Sequence, residues 1–60
     1  MEDFTVEQLK EARRAIDSLL SKLEKTREKL RQGTSQWTLL IRRVEALRIA
    51  SALIGQALEH

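Results

Sequence analysis

Residues 39–58 read LLIRRVEALRIASALIGQAL, and the second half of this run is apolar on nearly every side of a helix. At helical spacing it resolves into two apolar rows. Trp37, Leu40, Val44, Leu47, Ser51, Ile54 and Leu58 recur every three or four residues and form one seam. Leu39, Ala46, Ile49, Ala50, Leu53 and Ala57 lie around the helix from it and form a second. The outer strip left between them is narrow, roughly Arg42, Glu45, Arg48, Ala52, Gln56 and Glu59. A helix with two apolar seams needs two neighbours.

The residues before it supply one of them. Thr5 with Gln8 three positions on is a capping box, and Phe4 and Leu9 are placed for a hydrophobic staple. From there Leu9, Ile16, Leu23 and Leu30 fall seven apart, with Ala12, Leu19 and Thr26 as the matching d row and Leu20 widening the seam. Glu11/Arg14, Glu24/Arg27 and Glu28/Arg31 are spaced i,i+3, as exposed helix surface favours. Gly33 at C′ would close this helix, and Thr34 or Ser35 would cap the next. The spacing predicts helices over about 6–32 and about 35–58, joined by Gln32 to Thr34. So short a connection makes the helices antiparallel neighbours. The fold class is therefore all-α, an antiparallel two-helix hairpin expected to dimerise into a four-helix bundle. Residues 1–57 form a single domain in this reading. Leu58-Glu59-His60 has the look of a C-terminal affinity-tag remnant.

Sixty residues bury too little surface to hold a hairpin together comfortably, so small chains add disulfides, a metal or a second subunit. There is no Cys and a single His at the very end, which removes disulfides and Cys/His zinc sites and leaves association. Charged residues at 33% against 42% hydrophobic fit a compact helical domain rather than a disordered tail. The acidic, polar start shows no secretion signal. Arg42, Arg43, Glu45 and Arg48 interrupt what would otherwise be long enough to span a bilayer. The expected location is cytoplasmic.

The run Ser35-Gln36-Trp37-Thr38-Leu39-Leu40-Ile41-Arg42-Arg43-Val44-Glu45-Ala46-Leu47 resembles a pattern, S-Q-x-T-L-L-x-R-R-x-x-A-L, of short uncharacterised bacterial helical-hairpin proteins. The resemblance implies the hairpin fold. It carries no activity, cofactor or catalytic residue.

The functional reading is a self-associating interaction module without catalysis. Leu39, Ala46, Ile49, Ala50, Leu53 and Ala57 are the candidate self-association residues. The competing reading is a monomer with a partly exposed apolar surface. Charge adds to the first. Residues 1–21 hold five acids and three bases, whereas residues 22–31 hold five bases and two acids. Two hairpins packed end over end would set acid against base, although matching to the helix dipole also places acids early and bases late. Lys25, Lys29, Arg31, Arg42 and Arg43 gather at the loop end as candidate phosphate contacts, and an RNA-binding dimer is the alternative function. Trp37 closes the loop end of the core over Leu30, or else serves as a recognition anchor. The carboxylates Glu7/Glu11 and Glu24/Glu28 have no His or Cys beside them and read as solvated faces. No cofactor or metal site is expected. The partners expected are a second copy, a different protein, or, less readily, nucleic acid. The amphipathic second helix could also lie on a membrane surface, but its partner helix already covers one apolar face.

Overall fold

The computed structural model describes residues 3–59 as an antiparallel helical hairpin of α1, Val6–Lys29, and α2, Ser35–Leu58, packed along each other. Glu2, counted among the early acids, and His60, the end of the tag-like triplet, lie outside the described residues. Among the described residues no helix is long and apolar enough to cross a membrane.

α1 begins as its sequence predicts. The Gln8 backbone N–H donates to Thr5 Oγ1 at 3.1 Å, and the Thr5 N–H donates to Gln8 Oε1 at 2.9 Å. Two of the four donors left free at a helix start are thereby satisfied. Glu7 adds a negative charge to the positive end of the dipole. Phe4 remains exposed, so the staple toward Leu9 shields little of the ring.

The end of α1 departs from expectation. The helix stops at Lys29, three residues short of residue 32, and Leu30 turns extended at φ −89° and ψ 144°. The chain has to cross about 8–10 Å between packed helix axes. Leu30 starts that crossing with its side chain kept half-buried. The connection is therefore Leu30–Thr34, and Gly33 is not the C′ residue of α1. Gly33 instead takes φ +87° immediately before the next cap, where it reverses the chain into α2. The Thr34 hydroxyl joins the two sides of the turn. It donates to the Arg31 carbonyl at 2.9 Å and accepts from the Trp37 N–H at 3.1 Å. Arg31 now lies beyond the helix, so the i,i+3 spacing to Glu28 no longer sets the two side chains on one helical face.

The seam of α2 is the one read from the sequence. Leu40 and Val44 are buried, at 7% and 3% exposure, and Trp37, Leu47, Ser51, Ile54 and Leu58 are half-buried along the same face. The seam of α1 is rotated. Leu9, Ile16, Leu20, Leu23 and Leu30 turn inward, while the whole d row of Ala12, Leu19 and Thr26 is exposed. Polar clasps on the Leu20 side account for this rotation. The Ser51 hydroxyl donates to Asp17 Oδ1 at 2.9 Å, and Arg48 Nη2 donates to Glu24 Oε1, whose other oxygen is 3.6 Å from Arg27. The Arg13 guanidinium lies over Gly55. Exposed pairs of this kind contribute at most about 1 kcal/mol each, but they select one rotation among seams of similar hydrophobicity, and the d row faces out as a result.

The two glycines respond oppositely to alanine. Gly33→Ala forces a left-handed conformation on an L-residue and should lower stability by about 1–2 kcal/mol. At Gly55 an added Cβ meets only the far end of Arg13, at 3.2–3.4 Å, which can swing away. Gly55→Ala should therefore raise stability by about 0.5–1 kcal/mol through helix propensity. Denaturant midpoints measured on both variants check the pair.

Candidate functional site

The rotation of α1 creates a surface that neither helix has alone. Leu19, exposed at 45%, stands on one flank of the hairpin, beside the cleft between the helices. Leu19, Leu23, Ala46, Leu47 and Arg43 line a groove there, and its walls are almost wholly carbon. It continues toward the loop past Leu23, Thr26, Leu30, Leu39, Leu40 and Gln36, with Leu23 and Arg43 common to both stretches. Leu39 and Leu53 remain 52% and 58% exposed. By helical periodicity Leu39, Ala46, Ala50, Leu53 and Ala57 fall on this one side of α2.

The six candidate self-association residues do not all stay together. Ala50 is half-buried and Leu39, Ala46, Leu53 and Ala57 are exposed on the Leu19 flank. Ile49, exposed at 56%, instead lines the opposite flank with Ile41, Val44, Glu45, Arg48 and Arg27. That side is rimmed by charge and crossed by the Arg48–Glu24 pair. Ile49 is thus separated from the row it was grouped with. Its direction, between the outer strip and the second seam, places it beside Arg48 once the helix rotation is set. Leu19 is the residue that the heptad misplaced. The signal that could have found it is the polar complementarity of Asp17 with Ser51 and of Glu24 with Arg48 across the hairpin, which fixes the face α1 presents.

Lys25, Lys29, Arg31, Arg42 and Arg43 are all exposed in the loop half, and among the described residues none forms an ion pair. Arg43 differs from the others in lining the apolar groove beside Leu39. At the other end Lys10, Arg13 and Arg14 surround Leu58. α2 has no basic residue in its own last turn, so these three cations of α1 face the negative end of its dipole. Among the described residues no group of His, Cys, Asp and Glu side chains is arranged to hold a metal ion.

No family model, no curated protein and no solved structure matches this chain. The Leu19 flank is an apolar groove between the two helices, lined by Arg43 toward the loop.

Proposed function

We propose that the protein is a small, non-enzymatic helical interaction module that self-associates through the Leu19 flank of the hairpin, two copies making a four-helix bundle. The observation that carries this reading is the exposure of Leu19 and Leu39 along a carbon-lined groove between the helices, with Leu53 exposed on the same side of α2 by helical periodicity. Contiguous apolar surface of this kind marks an interface more often than it marks bare surface. The size of the chain points the same way. Two buried side chains, Leu40 and Val44, are a thin core for a domain whose ordering entropy is about 1.5 kcal/mol per residue. A second seam buried between copies makes up the deficit.

Light-scattering mass and melting temperature across a hundredfold range of protein concentration test the reading. Two copies double the 6.9 kDa mass, and melting rises with concentration by mass action. A 6.9 kDa species with concentration-independent melting overturns it. The exposed Lys25, Lys29, Arg31, Arg42 and Arg43, without an ion pair among the described residues, support a second reading, nucleic-acid binding by the loop end. In the same instrument that reading requires a mass increase with mixed RNA that falls steeply with added salt.

A further inference from the structure

The placement of charged and small residues on the Leu19 flank specifies how its occupant lies. We infer that the occupant is a second copy set antiparallel, loop end against terminal end, about a two-fold axis crossing α1 at position 20 and α2 at position 48. This rests on the self-association reading and adds its orientation and register.

A two-fold axis in the plane of contact can run along the hairpin or across it. Along it, like ends meet, and the exposed Lys25, Lys29, Arg42 and Arg43 of both copies crowd together. Across it, those cations meet the end where Asp3, Glu7, Glu11, Asp17 and Glu59 outnumber Lys10, Arg13 and Arg14.

The register follows from helix geometry. Glu11 and Lys29 are both exposed and stand 18 residues apart, which is five full turns at 3.6 residues per turn. They therefore lie on one line of α1, about 27 Å apart at 1.5 Å per residue. Their midpoint in height is position 20, and the line they define runs along the outer edge of α1, about 80° round the helix from Leu19. A two-fold axis there sets Glu11 against Lys29 of the second copy, and Lys29 against its Glu11. On α2 the exposed Leu39 and Ala57 are also 18 residues apart, and their midpoint is position 48. Ala46 and Ala50 share that midpoint. Two small residues thus sit where the α2 helices cross, which allows a close approach.

One axis must cut both helices at the same height, which the short Ser51–Asp17 contact supports, while the longer Arg48 side chain reaches four residues further toward the turn, to Glu24. The Ser51–Asp17 hydrogen bond places residues 17 and 51 level with each other. Position 20 is three residues toward the turn from one, and position 48 is three residues toward the turn from the other. Arg13 over Gly55 gives the same level, at seven residues on each side. The Leu39 and Ala57 pair, the alanine pair and the Glu11/Lys29 pair therefore share a single axis. The molecule is about 40 Å long and 20 Å wide, so one whole flank offers on the order of 800 Å² per copy, the area of a stable interface.

The absence of cysteine permits a direct test. Glu11→Cys and Lys29→Cys are made separately, at exposed positions outside the intramolecular seam. They are oxidised alone and as an equimolar mixture, and the products are weighed by mass spectrometry. A disulfide requires the two Cα atoms within about 7 Å. The expected result is a mixed E11C/K29C disulfide as the dominant product of the mixture, with little cross-link from either variant alone. Homodisulfides forming as readily from each variant alone mean parallel copies, which overturns the inference and leaves self-association standing. A dimer by light scattering that gives no cross-link overturns the flank and register in the same way. A chain that stays monomeric throughout removes both this inference and the self-association it rests on.

Discussion

Val44→Asp abolishes the helical far-UV circular dichroism signal at room temperature, while Ala52→Asp leaves it intact. Val44 is 3% exposed and faces α1 in the middle of the seam. A carboxylate there is enclosed by Leu40, Leu47 and Ser51, and the neighbouring cations, Arg48 and Arg27, are already engaged by Glu24. Leaving a charge unpaired in an enclosed site costs about 3–5 kcal/mol, and the lost valine burial adds to that. A 60-residue chain has roughly 3–9 kcal/mol of total stability at the usual 0.05–0.15 kcal/mol per residue. The substitution therefore removes most or all of it. Ala52 occupies the exposed outer strip of the same helix, where a change of this kind stays within about 0.5 kcal/mol. A Val44→Asp chain that keeps full helicity and an unchanged denaturant midpoint would show that the seam is not what holds the hairpin.

The second large effect concerns association. In the proposed dimer, Leu53→Glu weakens self-association by about two to four powers of ten without unfolding the hairpin. Under two-fold symmetry each substitution counts twice. Losing the burial of the exposed part of two leucines costs about 2–3 kcal/mol, the two introduced carboxylates add their own desolvation, and each 1.4 kcal/mol is about tenfold in Kd. Leu53 is 58% exposed within one hairpin, so the intramolecular seam is untouched. The informative comparison is Ile49→Glu. Ile49 is almost equally exposed, at 56%, but stands on the charged flank beside Arg48 and Glu45. Its substitution leaves Kd within about threefold of the parent, an effect below about 1 kcal/mol. Sedimentation equilibrium on the three chains gives the answer. Equal weakening by both substitutions would place the interface on the outer face of α2 instead of on the Leu19 flank.

Much of the hairpin is legible in the residues because its determinants are local. Thr5 and Gln8 cap α1 through contacts three residues apart, and Thr34 caps α2 in the same way. The seam of α2 follows from a single helical period and needs no knowledge of its partner. Two features are not local and are not legible in that way. The end of α1 depends on the gap that Leu30 and the following residues must bridge, which exists only once the helices are packed. The rotation of α1 is set by residues 24 and 34 positions apart, Glu24 with Arg48 and Asp17 with Ser51. A heptad treats the d and e sides as near equivalents, and these long-range clasps choose the e side. The candidate surface inherits this. Leu39, Ala46 and Leu53 are visible from α2 alone, whereas Leu19 joins them, and Ile49 leaves them, only through the rotation.

The five-residue connection from Leu30 to Thr34 also fixes an order of events. Closing so short a loop costs little entropy, and the cost grows only as the logarithm of the length closed. Once the turn is made, Leu23 and Leu40 meet across a small closed segment. Each helical turn added beyond them closes a loop already shortened by the one before. The hairpin therefore zips from the Thr34 turn toward Leu9 and Leu58, on the microsecond scale of helix and hairpin formation. It also opens from the far end, where Lys10, Arg13, Arg14 and Asp17 border Leu58.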